Sequence, residues 1–483
     1  MKLLQLILIL IMTINSEAKQ NSLTLDLFPL PTSIDIKSIK SASEYIVINH
    51  LTRGLVTLNK EGQIQGEIAK SWLINKNTTE FIFEIKNDQY FSDGELISSS
   101  DIVNSINWQL SNKDAIHVDF QIINKVESIN NSSLKITLKK PEPRFLIKLT
   151  HAEFGILHKS DLKLTRPEFK ITSGYYFLNK LEKDQILFTR NPHQKNTNNQ
   201  FVNVIFKSSP PDQQYHDLIH SKTDFAIPYT GDENNFLEEL NQLKRFIKLE
   251  PHIGFTYWIS FNLKSKVFQS KECRSIVFDQ LKEKPFDIPI SSGNWQNANQ
   301  LYLPLGPGRL TKEKEQELTQ SKIKKSKCTI NDEIRILIPK NYKWENQIIT
   351  RLKQIIPKLT IAYYSNQQEF VKLNNNLVDL YIMNNDFSSL DLSENLFVTF
   401  NETRQLIHSD AQIKELLNKI KTEELDDNLY KLYSEIGEIV LRERYIVPLF
   451  YQRINFYHSK KIDLSNWSVL FPEISAWKIK SVD

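Results

Sequence analysis

The stretch His216-Asp217-Leu218-Ile219-His220 sets two histidines four residues apart. On a helix that spacing brings both imidazoles to one face, the arrangement zinc-binding hydrolases use to hold their metal. Such enzymes also need a general-base glutamate beside the first histidine; here Asp217 stands in that place with a shorter reach, and no third-ligand cluster follows nearby. The competing reading is a pair of surface histidines on an amphipathic helix. Other catalytic patterns are missing. There is no Gly-x-Ser-x-Gly, and a chain with 12 glycines has no glycine-rich phosphate loop. The aromatic stretches "TYWISFN" and "YIVPLFYQ" lack the interleaved basic residues that stacking on nucleic acid requires. The expectation is a protein that is not an enzyme and that carries no cofactor and no metal.

At 483 residues the chain exceeds what one hydrophobic core usually supports, so two or three lobes are expected. Lys and Arg number 61 against 57 Asp and Glu; a net +4 over that length does not call for a nucleic-acid partner. At the N-terminus, Lys2 precedes an apolar run from Leu3 to Ile14, followed by Ser16-Glu17-Ala18, the pattern of a cleavable secretory signal ending near residue 18. The run is shorter than the roughly 20 residues of a membrane-spanning helix, and no cysteine stands near the cleavage site to take a lipid anchor. A free periplasmic protein is expected. Cys273 and Cys328 are the sole cysteines; an oxidising compartment permits a bridge between them, and two separate buried thiols remain the alternative.

Apolar alternation in "TEFIFEIKN" and "SLKITLKK" predicts strands, with Phe81, Phe83 and Ile85, and then Leu134, Ile136 and Leu138, on one face. Asp93-Gly94 predicts a turn. Ser98 stands three residues before Asp101 as in a capping box, and Ile102, Val103, Ile106 and Leu110 continue on one helical face. The charged stretch 311–327 suits a solvated helix or linker. Ile413, Leu416, Leu417 and Ile420, then Leu425, Leu429, Leu432, Ile436 and Ile439, form two helical stripes leading to a buried strand at "YIVPLFYQ". The class is α/β.

Several of these segments also stand in an order seen elsewhere. "LTRGLVTLNKEGQIQGEIAKSW" (51–72) and "FIFEIKNDQYFSDGELISSSDIVNSI" (81–106) resemble the opening signature of the family 5 extracellular solute-binding proteins. "ITLKKPEPRFLIKL", "TSGYYFLNKL", "RNP", "YWISFN", "LPLGPG" and "YIVPLF" are similar to later blocks of that family in the same order. The resemblance implies a two-lobed periplasmic-binding-protein (type II) fold with an additional inserted subdomain. Lobe I would comprise 22–45, 172–255 and 457–483, the inserted subdomain 46–171, and lobe II 256–456.

It further implies an exported receptor that closes on a peptide-like or other small solute and delivers it to an inner-membrane ABC permease, acting as a monomer. The acidic residue implied to hold a peptide's amino group is Asp386. Tyr257 and Trp258 match the cleft-side strand, Trp295 falls in a loop of lobe II and Tyr175 follows a turn; each is a candidate ligand wall, with core packing as the alternative. The chain departs from the family pattern at Thr172-Ser173-Gly174-Tyr175-Tyr176, where a proline turn is lost. It departs again around Asp386-Phe387, where a Gly-Trp is missing. A diverged binding protein acting as a sensor or assembly partner is therefore the second expectation, and a metal-dependent hydrolase the third.

Overall fold

Period-two alternation sets the first layer of structure. The computed structural model describes residues 22–27, 29–39, 41–111, 120–194, 201–227, 246–249, 254–286, 295–304, 306–320, 328–340, 344–365, 367–373, 378–386, 391–400, 410–467 and 474–482. In it Glu80–Ile85 and Ser133–Leu138 are antiparallel neighbours, with Phe81 opposite Ile136 and Phe83 opposite Leu134. All four side chains are fully buried and share a core with Ile102 and Ile106 of the helix Ser99–Leu110. That helix starts as its sequence predicts: the Asp101 carboxylate accepts the Ser98 backbone N–H at 2.9 Å, and Ser98 Oγ accepts the Asp101 N–H, a cap worth about 1 kcal/mol. Ahead of it Gly94 takes φ +91°, a left-handed conformation that suits glycine. Ser92 fastens this turn elsewhere, its N–H donating to Thr172 O and its Oγ accepting from Thr172 N.

The chain divides into two compact units, Met1–Glu250 with Asn455–Asp483, and Pro251–Ile454. Among the described residues the first unit holds a seven-stranded sheet in the order Phe246–Leu249, Phe456–Ser459, Phe225–Ala226, Ser22–Asp26, Asn203–Lys207, Gln185–Arg190, Tyr176–Leu181. Ser22–Asp26 runs parallel to both of its neighbours, and the other pairs are antiparallel. A second, four-stranded antiparallel sheet contains Ala69–Ile74, Glu80–Ile85, Ser133–Leu138 and Ile123–Asn130 in that order.

The second unit is built on a six-stranded sheet ordered Trp295–Asn297, Ile446–Arg453, Gly254–Phe261, Leu380–Asp386, Ile334–Pro339, Leu359–Tyr364. Gly254–Phe261 is central and buried on both faces: Tyr257, Ile259 and Phe261 enter one core, while Trp258 enters the other. Pro448 lies inside the neighbouring strand, where it has no N–H to give. The register shifts there, with Tyr257 opposite Phe450 and Trp258 opposite Pro448, so the proline sits at a bulge, the position a sheet interior tolerates.

Both predicted stripes are helices. Ala411–Ile420 buries Ile413, Leu416, Leu417 and Ile420, and Asp427–Arg442 buries Leu429, Ile436 and Ile439, each under an aspartate cap. Lys312–Gln320 is a helix that buries Leu318 alone, as a solvated element should; 321–327 lie outside the described residues, as do 1–21 with the predicted signal.

The open question of the cysteines is answered within the second unit. Cys273 and Cys328 form a disulfide across Cα atoms 5.2 Å apart, closing a separation of 55 residues. In the chain-entropy account a crosslink over such a loop stabilises the folded state by about 4 kcal/mol. Replacing both cysteines with alanine is expected to lower the denaturant midpoint of the second unit's unfolding and to steepen its slope as the unfolded chain expands, and reductant should do the same to the wild-type protein.

Candidate functional site

In the first unit four separated segments converge on one buried guanidinium. Arg53 is 5% exposed. Its N–H donates to Ser173 Oγ (3.1 Å), its Nε to Ser173 O (2.6 Å) and its Nη1 to Gln89 Oε1 (2.6 Å). Ser173 Oγ in turn donates to Ile156 O at 2.6 Å, and Ile156 N returns to Arg53 O at 3.0 Å. The segment carrying Ser173 can come this close because Gly174 has no side chain. Its N–H donates to Leu51 O at 3.0 Å, and a Cβ placed there would lie 2.3 Å from His50 O and 2.4 Å from Leu51 C.

Tyr175 follows, half-buried, with its ring stacked on Trp477 at 4.8 Å and 14°, and with Arg53 Cζ 5.6 Å from its centroid. Its hydroxyl interacts with both the Glu67 carboxylate and Arg53. Burial pushes the Tyr175 pKa up, and the Glu67 anion adds to that. Burial likewise raises the Glu67 pKa, against the pull of Arg53, the Tyr175 hydrogen bond, Lys478 and Lys86. Glu67 is held by its backbone, donating to Leu55 O at 2.9 Å and accepting from Lys86 Nζ at 2.7 Å.

Behind the stack lies His50, fully buried among the rings of Tyr176, Phe188, Phe206 and Trp477. Its Nδ1 lies 2.7 Å from Ile46 O, and its Nε2 accepts from Ala476 N at 3.2 Å, a pairing that requires the neutral ring. Burial lowers its pKa from 6.5 to about 4. Glu67 and Trp477 also line a small polar cavity of about 20 Å³ with Asn49, Thr52, Thr57 and His151.

The aromatic candidates of the second unit have other surroundings. Tyr257 and Trp258 are 3% and 1% exposed. Tyr257 OH donates to Gln452 Oε1 at 2.8 Å and Trp258 Nε1 to Ser260 Oγ at 2.7 Å, so both side chains are packed and satisfied in cores on opposite faces of one strand. Trp295 stands in an edge strand instead of the predicted loop, pairing with Gln452 and packing its half-buried ring 5.3 Å from Tyr257. Asp386 ends the strand Leu380–Asp386 opposite Phe255; its side chain and Phe387 lie outside the described residues.

The two histidines of the opening stretch are exposed, with rings 6.2 Å apart at the end of the helix Pro211–Ile219, and His220 Nδ1 lies 2.8 Å from His216 O. Asp217 points the other way, buried against Lys207, Ser209 Oγ (3.1 Å) and Gln213 Nε2 (3.0 Å). It is a structural carboxylate with no access to a metal at the histidines. Among the described residues the one trio of imidazole and carboxylate ligands close enough to share an ion is Asp93, Glu95 and His158. Lys159 Nζ already occupies Glu95 there, at 2.5 and 2.7 Å.

Sequence reasoning named Tyr175 and missed Arg53, Glu67 and Trp477. Arg53 and Glu67 lie inside the quoted "LTRGLV" and "QGEIAKSW" blocks, where charged residues among apolar ones were a visible signal; Trp477 carried none.

Comparison with known proteins agrees with this architecture. Residues 63–275 match the family model described as bacterial extracellular solute-binding proteins, family 5 Middle. The periplasmic oligopeptide-binding protein OppA of Escherichia coli (strain K12) is 24% identical over 280 residues, 51% of this chain and 50% of OppA. The chain thus spans about half the length of the curated relatives it matches. NikA from Brucella suis, solved in complex with Fe(III)-EDTA, has a TM-score of 0.77 at 14% identity, covering 95% of this chain and 100% of NikA. DppA from Helicobacter pylori, solved in complex with the peptide STSA, has a TM-score of 0.70 at 17% identity over 96% of this chain and 99% of DppA. The fold is the two-lobed, mixed α/β type II fold of the solved periplasmic binding proteins this chain matches. The chain's middle region, residues 63–275, resembles the family 5 extracellular solute-binding proteins. The matched relatives are named for binding, and no helix among the described residues is long and apolar enough to cross a membrane.

Two expectations follow from the geometry. A Cβ at residue 174 must displace backbone, so Gly174→Ala is expected to destabilise the first unit by roughly 2–4 kcal/mol and shift tryptophan fluorescence as the Tyr175–Trp477 stack opens; calorimetry and emission spectra check both. His50 is neutral when folded and titrates near 6.5 when unfolded. Its contribution is therefore complete above pH 6.5, declines as pH falls and is gone below about 4. The loss amounts to about 3 kcal/mol, read as wild type minus His50→Gln in denaturation across that range.

Proposed function

We propose that the protein is an exported solute receptor that captures a peptide-like ligand and hands it to an ABC importer in the inner membrane. The observation that carries this reading is the match of 95 to 96% of the chain to the folds of binding proteins solved with ligands of this size, together with the family 5 match in its middle region. Capture would proceed by closure of the two lobes, the ligand shifting the balance toward the closed form by its greater affinity for it. Asp386 is the proposed partner of the ligand's amino group. Trp295 and Tyr175, half-buried, are better placed as ligand walls than Tyr257 and Trp258, whose side chains are consumed by their cores.

Relatives and neighbours are also named for nickel, an iron chelate and deoxycholate. At the trio Asp93, Glu95 and His158, Lys159 already sits on Glu95, which speaks against that place as a seat for a bare metal ion. Native mass spectrometry of the protein purified from periplasm, before and after denaturation and refolding, tests the peptide reading. A heterogeneous set of peptide masses lost on refolding is expected, with retention weakened roughly tenfold or more in Asp386→Ala. A protein that arrives empty and stays empty when offered peptide mixtures would instead support a diverged sensor or assembly partner.

A further inference from the structure

Two buried carboxylates meet around Ser209, between the end of the strand Ser22–Asp26 and the helix Pro211–Ile219. Asp26 is 0% and Asp217 1% exposed. Asp26 Oδ1 accepts the Ser209 N–H at 2.9 Å, and the Ser209 hydroxyl donates to Asp217 Oδ2 at 3.1 Å. Lys207 Nζ and Gln213 Nε2 also donate to Asp217. Asp26 is served less well. A hydroxyl has one hydrogen to give, and here Asp217 receives it, so Asp26 Oδ2, dry, has no donor. An ionised carboxylate so placed lacks solvation; a protonated one needs a donor fewer and has a hydrogen of its own to offer. Burial pushes the Asp26 pKa from 3.8 up to about 6, against Ser209 and Lys207, with the Asp217 charge adding to the rise. Burial acts on Asp217 too, but Lys207, Gln213 and Ser209 outweigh it and hold that carboxyl below its ordinary value. Two acids in one setting are thus driven apart, one kept charged and one inclined to keep its proton. The other charged groups beside the joint are Lys222, whose Nζ lies 4.0 Å from Asp217 Oδ1, and Asp224, which accepts the Thr24 N–H at 3.0 Å.

We propose that Asp26 is a proton-operated latch: with a proton bound it fastens the helix Pro211–Ile219 to the end of the strand Ser22–Asp26, and on losing that proton it places a second buried negative charge beside Asp217 and loosens the joint. The latch does not depend on which solute the protein captures. Its sense follows from the direction of the shift. The folded protein holds the Asp26 proton more firmly than the unfolded chain, so the contribution is complete below about pH 3.8 and is lost as pH rises through about 6. This is opposite to His50, whose contribution is lost as pH falls.

The test is hydrogen exchange of the full-length protein, read by mass spectrometry in the segment 208–217 and corrected for the intrinsic pH dependence of exchange. In the wild type the opening constant of that segment is expected to rise roughly thirtyfold between about pH 4.5 and 7.5. Asp26→Asn, neutral at every pH and of the same shape, should remove most of that rise and leave the segment better protected than the wild type at the upper end. The comparison also isolates Asp26 from Asp224, whose pKa burial raises as well. Should Asp26→Asn fail to fold, Ser209→Ala decides: it deletes a hydroxyl that holds the Asp26 pKa down, so the rise should move to higher pH. A wild-type opening constant that stays flat or falls with pH, a rise of equal size in Asp26→Asn, or a rise at unchanged pH in Ser209→Ala would overturn the latch.

Discussion

A guanidinium stays charged in a protein interior, so the interior must come to it. Arg53 is the clearest instance in this chain: leaving such a group without partners would cost several kcal/mol, and its donors can be met only if residues 36 and 120 positions away arrive together. Ser173 answers twice, through its carbonyl and its hydroxyl, and passes the connection on to Ile156. The consequence is architectural. The segment 172–175 is pinned against the end of the helix Ala42–Leu51 just before it enters the edge strand Tyr176–Leu181 of the seven-stranded sheet. Ser92 reaches the same segment from the turn ahead of the capped helix. One buried charge therefore ties the segments around residues 53, 89 and 156 to a single loop.

The loop's composition follows from that position. Gly174 is required by the closeness of the helix backbone, with φ in the ordinary range, and Asn191 secures its carbonyl and that of Tyr175 at 3.0 and 2.9 Å. A proline turn, which the family pattern would supply here, is replaced by hydrogen bonds. What the exchange produces is an aromatic stack with a charged cluster on one side and the dry imidazole of His50 on the other. The neutral ring packs as a hydrophobe on four aromatic neighbours while its two nitrogens close backbone bonds at residues 46 and 476.

The second unit solves a different problem, a strand with no solvent face. Gly254–Phe261 buries successive side chains on opposite sides, which is why "TYWISF" reads as a continuous apolar run. A polar atom carried into either core needs a partner, and Tyr257 and Trp258 each find one nearby. These side chains are thereby spent on cohesion.

Local pattern was enough to read the paired strands at 80–85 and 133–138, the capped helix at 99–110, the two C-terminal helices and the surface helix at 312–320, because period and capping are properties of neighbouring residues. The ordered blocks likewise pointed to the family whose model matches residues 63–275 and to the fold class. Tertiary structure alone decided which aromatics remain near a surface, since alternation cannot tell a strand with one wet face from a strand with none; Tyr257 and Trp258 were beyond sequence for that reason. It alone joined Cys273 to Cys328, turned Asp217 inward and away from its histidines, and brought Arg53, Glu67, Tyr175 and Trp477 together. Those four span more than 400 positions, and what unites them is the need to satisfy one buried charge, a three-dimensional condition that no local pattern encodes.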